Sequence, residues 1–282
     1  MRLPGPDYPA PAKLNLFLHV IGRRPDGYHL LQSAFTLIDA ADVLRIQVRQ
    51  DGEIRRVNEL PGVPAETDLV VRAARSLKER TGSPLGADIE VDKRLPMGGG
   101  VGGGSSDAAT TLIVLNRLWH GGLDREALQG LGARLGADVP FFIFGRDAWV
   151  EGVGEKLAPL VLPPACYVVL VPPVAVPTGE IFASPELTRD TEALKMEDFS
   201  AQAGLGRFRN DLEGVVASRY PPVREHLEWL SRHGQARLTG SGACVFARFE
   251  DRATAEGVLA KLPGTMQGFV AQGLGEHPLR GF

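Results

Sequence analysis

From Pro96 to Asp107 the chain reads Pro-Met-Gly-Gly-Gly-Val-Gly-Gly-Gly-Ser-Ser-Asp, with six glycines in the seven positions Gly98–Gly104. Ordering glycine costs more conformational entropy than ordering any other residue. Such a run is useful where the backbone must take left-handed conformations or approach something closely. The flanking sequence narrows the choice. Ala87–Leu95 alternates Ile89 and Val91 with Glu90 and Asp92, the period of a half-buried strand. Asp107–Trp119 places Ala108, Leu112, Leu115 and Trp119 on one face of a helix. A flexible linker is seldom wedged between two such elements. At a helix start, unpaired N–H groups and the positive end of the helix dipole together favour an anion. Ser105 and Ser106 are expected to cap this helix and to offer hydroxyls to phosphate oxygens. The segment therefore reads as a phosphate cradle built from Pro96, Met97, Gly98, Gly99, Gly100, Val101, Gly102, Gly103, Gly104, Ser105 and Ser106.

Other phosphate motifs fail on their mechanics. No lysine follows the glycines, as a Gly-Lys-Ser/Thr loop requires. A literal Gly98-x-Gly100-x-x-Gly103 is present, but where a dinucleotide fold needs a second strand with an acidic end the chain is helical or turning at Gly121-Gly122. No His-Arg-Asp and Asp-Phe-Gly pair supports a protein kinase.

A length of 282 residues leaves room for two domains. The junction is expected near 158–165, where prolines interrupt short apolar runs, giving domains 1–160 and 161–282. With a net charge of −3 there is no basic field for nucleic acid, although Arg23-Arg24 and Lys93-Arg94 are local clusters able to meet phosphate. Cys166 and Cys244 are far apart, and the six histidines form no metal-like pair, so no structural metal site is expected. No segment approaches the roughly 20 apolar residues of a membrane span. A cytoplasmic protein with neither a nucleic-acid nor a membrane partner is the expectation.

Further elements follow from periodicity. Ala12–Val20 alternates, with Leu14, Leu16, Leu18 and Val20 on a buried face and Lys13, Asn15, Phe17 and His19 on the other. Val43–Val48 reads as a strand, Asp68–Arg80 as a helix stopped by Gly82, and a further helix runs from an Asp124 cap towards Gly136. Beyond the junction come a strand at Cys166–Val171, a helix at Pro222–His233, a strand at Ala243–Phe249, a helix at Asp251–Leu262 and a strand at Gly268–Gln272. This order suggests an α+β second domain with an antiparallel sheet.

The cradle resembles the Pro-x-x-x-Gly-x-Gly-Ser-Ser signature of the GHMP small-molecule kinases, with extra glycines before the serines. Pro11-Ala12-Lys13-Leu14-Asn15-Leu16, Asp26-Gly27-Tyr28-His29, Gly136-Ala137-Asp138-Val139-Pro140 and Leu238-Thr239-Gly240-Ser241-Gly242 extend the resemblance through nearly the whole chain. In this combination it points to the branch that phosphorylates 4-diphosphocytidyl-2-C-methyl-D-erythritol in non-mevalonate isoprenoid synthesis. The resemblance implies a two-lobed α+β fold, with a nucleotide-binding N-terminal lobe and a ferredoxin-like C-terminal lobe on the substrate side. It implies ATP and Mg²⁺, and a small-molecule substrate carrying a cytidine diphosphate group. By similarity, Asp138 is the base and Lys13 its electrostatic partner. Tyr28 and Phe182 sandwich the cytosine, His29 reads its edge, and Asn15 and Thr178 line the same pocket. Gly240-Ser241-Gly242 is expected to turn tightly and support the loop or the substrate diphosphate.

Taken singly, these residues have plainer explanations. Lys13 and Asn15 share a strand face that is commonly solvated, Asp138 follows a helix stop, and Tyr28, His29 and Phe182 suit ordinary packing. Two other functions stay open here. One is a sister kinase for homoserine, mevalonate or a sugar, and the other is a nucleotide sensor without catalysis.

Overall fold

The computed structural model describes residues 2–199 and 208–282. The alternating segment near the N-terminus is the middle of β1 (Tyr8–Arg23), paired antiparallel with a 21-residue β2 (His29–Arg49). The turn between them uses the expected chemistry: Gly27 sits at φ 92° and Asp26 Oδ1 accepts from the Tyr28 N–H at 3.2 Å. There follow β3 (Ile54–Arg56), α1 (Leu69–Thr81), β4 (Gly86–Asp92), α2 (Gly103–Leu118), α3 (Arg125–Ala133), α4 (Val139–Phe144), β5 (Ala148–Gly152) and β6 (Lys156–Pro159). Strand β2 is the spine of this first sheet, whose order is β3-β4-β2-β5-β6 with β1 also on β2.

The remaining elements are β7 (Cys166–Leu170), α5 (Thr178–Ala183), α6 (Glu213–Arg219), α7 (Pro221–Ser231), β8 (Ala236–Leu238), β9 (Val245–Phe249), α8 (Arg252–Leu259) and β10 (Gly268–Gln272). They form a second sheet, antiparallel throughout, in the order β10-β7-β9-β8. Short elements escaped the periodicity reading. The six residues of α4 or α5 give under two turns of pattern, and β5 begins with a continuous buried run, Ala148-Trp149-Val150.

Several helix ends are set by local signals. Asp68, Asp124 and Asp251 accept from the N–H groups of Val70, Ala127 and Thr254 at 3.0, 2.8 and 2.8 Å. Gly82, left-handed at φ 68°, ends α1. Helix α2 departs from expectation. It starts at Gly103 behind a left-handed Gly102 (φ 76°), with no side-chain cap. Ser105 and Ser106 lie inside its first turn, and a cap needs the non-helical backbone that Gly102 takes instead.

Strand β1 is buried on both faces, not one. Lys13, Asn15, Phe17 and His19 are 2%, 1%, 0% and 4% exposed, alongside the expected Leu14, Leu16, Leu18 and Val20. The supposed outer face is covered because the two lobes meet on it. Phe17 packs against Phe208 of the second lobe at 5.4 Å between ring centroids. An inter-lobe cluster joins Leu14, Leu16 and Phe17 to Val169 and Phe246 of the second sheet. The C-terminal segment then returns to the first lobe, where Leu274 N–H donates to Leu37 O at 2.9 Å and Leu279 enters that lobe's core. Among the described residues, no helix is long and apolar enough to cross a membrane.

Asp147 ties these pieces together. Its Oδ1 accepts from Leu37 N–H at 3.0 Å, its own N–H donates to Gly275 O at 3.1 Å, and its carbonyl accepts from Leu160 N–H at 3.0 Å. Burial pushes its carboxyl up to about 6, against the opposing pull of the Leu37 N–H and the Thr36 hydroxyl. Between about pH 4 and 6 the folded state keeps a proton that the unfolded chain has released, so this group's stabilisation fades as pH rises. Asp147→Asn should flatten that part of the stability profile, read from urea midpoints at pH 4, 5, 6 and 7. The same slope in both proteins would contradict the assignment.

Candidate functional site

The glycine loop is drawn into the junction of the lobes by its own backbone. Lys13 N–H donates to Val101 O at 2.9 Å and Cys244 N–H to Gly99 O at 3.0 Å. Gly98, Gly100 and Gly102 are left-handed, at φ 68°, 75° and 76°. A Cβ on Gly100 would sit 2.3 Å from Thr239 O, and one on Gly102 would sit 2.8 Å from the Phe142 ring. The glycines thus serve both conformation and close approach. Their support is the turn around Gly240–Gly242, closed by Gly242 N–H to Thr239 O at 3.0 Å and Thr239 N–H to Cys244 O at 3.1 Å. That is the loop-bracing role expected of this turn. Cys244 is fully buried, and burial pushes its thiol up to about 12, as suits a packing residue.

Beside the loop, Lys13 carries a buried ammonium. It donates to Asn15 Oδ1 at 2.5 Å, lies 3.5 Å from Asp138 Oδ2 and sits 4.8 Å from the centroid of the Phe35 ring. Asn15 is held in turn: its N–H donates to Thr239 Oγ1 at 3.0 Å and its Nδ2 to Ser33 Oγ at 3.3 Å. Asp138 stands at the head of α4 without capping it, and a third of its side chain is open. The lysine is fixed and the aspartate accessible.

A second cation lies beside the loop at Gly103. Lys93 donates to Asp42 Oδ2 at 2.5 Å and to Asp107 Oδ2 at 2.9 Å. Burial works against its charge, but the two carboxylates outweigh that and hold the ammonium above its usual range. Burial also raises the Asp107 carboxyl, with Lys93 opposing and Asp42 adding to the shift. A Cβ on Gly103 would come 3.1 Å from the Lys93 nitrogen, so the cluster braces the start of α2.

A cavity of about 860 Å³ joins the glycine loop to both lysines and to Asp138. Lys13, Asn15, Tyr28, His29, Asp138, Thr178 and Phe182 line it, together with the loop from Pro96 to Ser105 apart from Val101. Val101 and Ser106 turn into the protein interior, at 1% and 0% exposure. Tyr28 is 65% exposed. His29 and Phe182 are ring neighbours at 5.1 Å and 34°, and Thr178 Oγ1 meets Ser241 Oγ at 2.7 Å. Asp68, Asp107 and Lys93 also line the cavity, although in the sequence no motif marks the two aspartates as site residues and Lys93 stands only in a basic cluster. The Lys93-Arg94 pair was the available signal, and only Lys93 reaches the cavity, while the Arg94 guanidinium pairs with Asp92. Among the described residues, no group of three His, Cys, Asp or Glu side chains is placed to hold a metal ion. The arrangement combines an anion-favouring helix start, two cations, one open carboxylate and an aromatic recess.

The pattern of the GHMP kinases N terminal domain matches residues 68–146, and that of the GHMP kinases C terminal region matches residues 190–267. The chain is 62% identical over 276 residues to the 4-diphosphocytidyl-2-C-methyl-D-erythritol kinase of Aromatoleum aromaticum, covering 98% of this chain and 96% of that relative. It is also 62% identical to the enzyme of the same name from Thiobacillus denitrificans, covering 98% of each. A crystal structure of 4-(cytidine 5'-diphospho)-2C-methyl-D-erythritol kinase superposes with a TM-score of 0.80 at 34% identity, covering 95% of this chain and 99% of that one.

Two loop glycines separate close approach from backbone strain. Gly98 and Gly100 have similar φ, but nothing lies within 4 Å of a Cβ on Gly98. Gly98→Ala should cost about 1–2 kcal/mol, the left-handed penalty alone. Gly100→Ala should cost clearly more and lower the melting temperature further. Equal losses in the two variants would show that Thr239 does not constrain the loop.

Proposed function

The chain belongs to the GHMP kinases and, among them, to the 4-diphosphocytidyl-2-C-methyl-D-erythritol kinases; we propose that Asp138 and Lys13 are the pair that carries its phosphoryl transfer. It is an ATP-dependent small-molecule kinase. The substrate hydroxyl oxygen attacks the γ-phosphorus of ATP, the bond to the bridging oxygen of ADP breaks, and the hydroxyl proton passes to Asp138. Lys13 orients that carboxylate and faces the charge gathering on the transferred group. Phosphoryl transfer asks mainly for positioning and electrostatic stabilisation, with one oriented base. The observation that carries this reading is a buried ammonium 3.5 Å from an accessible carboxylate, both lining the cavity of the glycine loop.

In this reading the backbone amides between Pro96 and Ser106 and the start of α2 take the triphosphate. Tyr28 and Phe182 receive the two faces of the cytosine, His29 its edge, and Asn15 and Thr178 the adjoining wall. Residues 1–160, joined by the returning C-terminal segment from Leu274, form the ATP lobe and the rest of 161–282 the substrate lobe, in an enzyme of isoprenoid precursor synthesis working in the cytoplasm. Mg²⁺ takes oxygen ligands and keeps several waters, so it suits a site where the triphosphate brings most of the donors. Ser105 on the cavity wall would supply a further oxygen, and the buried Ser106 hydroxyl beside it has no partner. When bound, the ion would neutralise phosphate charge.

Purified protein given ATP, Mg²⁺ and 4-diphosphocytidyl-2-C-methyl-D-erythritol should release ADP only when the alcohol is present. Asp138→Asn should lower kcat by about 10²–10⁴-fold, the usual reach of a general base. KM for ATP should stay within about threefold of the parent, because the change spares the phosphate cradle. A variant altered in KM alone would remove Asp138 from the chemistry.

A further inference from the structure

Arg189, in the segment after α5, belongs to none of the motifs read from the sequence. Its guanidinium nonetheless touches two of the three ring residues of the proposed nucleobase end, His29 through its ring and Phe182 through its carbonyl. Nε donates to His29 Nε2 at 3.0 Å, and Nη2 donates to the carbonyl oxygens of Phe182 and Ser184 at 3.0 and 2.5 Å. Nη1 donates to Leu187 O at 3.0 Å. The fork thus gathers the turn that carries Phe182 and presents it to His29, whose ring lies 5.1 Å away.

The bond to His29 has a chemical consequence. A guanidinium is always charged and only donates, so the nitrogen facing it must offer a lone pair. A neutral imidazole with its lone pair on Nε2 carries its proton on Nδ1. Burial first, and then the charges of Arg189 and Arg23, hold the His29 pKa below its ordinary value, which keeps the ring neutral near pH 7. What His29 offers the cavity is therefore a donor. Cytosine has acceptors to meet it, at N3 and at its carbonyl oxygen.

We propose that Arg189 is the positioning residue of the nucleobase end, locking His29 as the Nδ1–H tautomer and setting Phe182 against it so that the pocket reads an acceptor on the base. The inference rests on the reading of His29 and Phe182 given above.

Long-range ¹H–¹⁵N NMR of the full-length enzyme without ligand should show His29 protonated at Nδ1, the signal being assigned by its loss in His29→Gln. In Arg189→Met the signal should move towards the Nε2–H form. KM for 4-diphosphocytidyl-2-C-methyl-D-erythritol should rise about tenfold or more, equivalent to about 1.4 kcal/mol, while kcat and KM for ATP hold. Arg189→Lys keeps one donor for His29 but cannot grip three carbonyls, so it should retain the tautomer and give an intermediate KM. An Nε2–H signal in the unaltered enzyme overturns the proposal without need of any variant, and so does an unchanged KM in Arg189→Met. If Tyr28→Ala and Phe182→Ala also leave KM unchanged, the nucleobase reading itself has failed. If those two raise KM and Arg189→Met does not, only the role of Arg189 has failed.

Discussion

An ammonium group taken out of water is costly unless neighbouring groups replace its solvation, and Lys13 is 2% exposed. Its compensation is assembled from several parts of the fold. Asn15 comes from the same strand, Phe35 from β2 and Asp138 from the head of α4. Through Asn15 the network reaches Thr239 of the second lobe, whose hydroxyl also donates to Asn15 Oδ1 at 3.3 Å. Breaking a buried pair by removing one partner is more damaging than never having built it. The approach of the two lobes and the position of this charge are therefore one constraint. The pair is also asymmetric, with the cation sealed and the carboxylate a third open. Such access is what the proposed role of Asp138, taking a proton from a substrate and later giving it to water, would require.

Around this point the backbone is packed to distances that forbid side chains. Gly99, Gly100 and Gly102 each face an atom that a Cβ would strike: Cys244 Sγ, Thr239 O and the Phe142 ring. Val101, between two of these glycines, enters the inter-lobe core and fastens the loop from within. The Lys93 cluster braces the other flank, where Asp42 also accepts from Arg94 N–H at 2.6 Å and Leu95 N–H at 2.8 Å. The start of α2 thereby lies against the side chains of Lys13, at Gly102, and Lys93, at Gly103. On the proposed reading, backbone N–H groups fixed in this way would meet phosphate charge without rearranging when it arrives.

Much of this was legible in the chain, for identifiable reasons. Asp68, Asp124 and Asp251 act as caps where an aspartate precedes an apolar-periodic run, and β10 spans the expected Gly268–Gln272. Apart from Thr178 and Phe182, the candidate site residues fall in short motifs, so their resemblance to the GHMP kinases survives without knowledge of the fold. Less legible were elements too short for a period, such as α4, and the start of α2, where a glycine replaces the expected serine cap. The strand-face rule also failed at β1. Alternation distinguishes apolar from polar faces, but a polar face can be buried when another lobe brings it partners.

Turn chemistry and hydrophobic period determined by themselves a glycine-rich turn at the head of a helix and an α+β pattern in the second half of the chain, because each of those signals acts within a few residues, whereas the two-lobed arrangement was implied by the resemblance of the motifs to the GHMP kinases. Tertiary structure decided what the lone polar side chains are for. Asn15 receives Thr239 from 224 residues away, and His29 receives Arg189 from 160 residues away. Partners so distant are matched only by packing, since desolvation and hydrogen-bond geometry depend on what folding brings close rather than on what stands next in the chain.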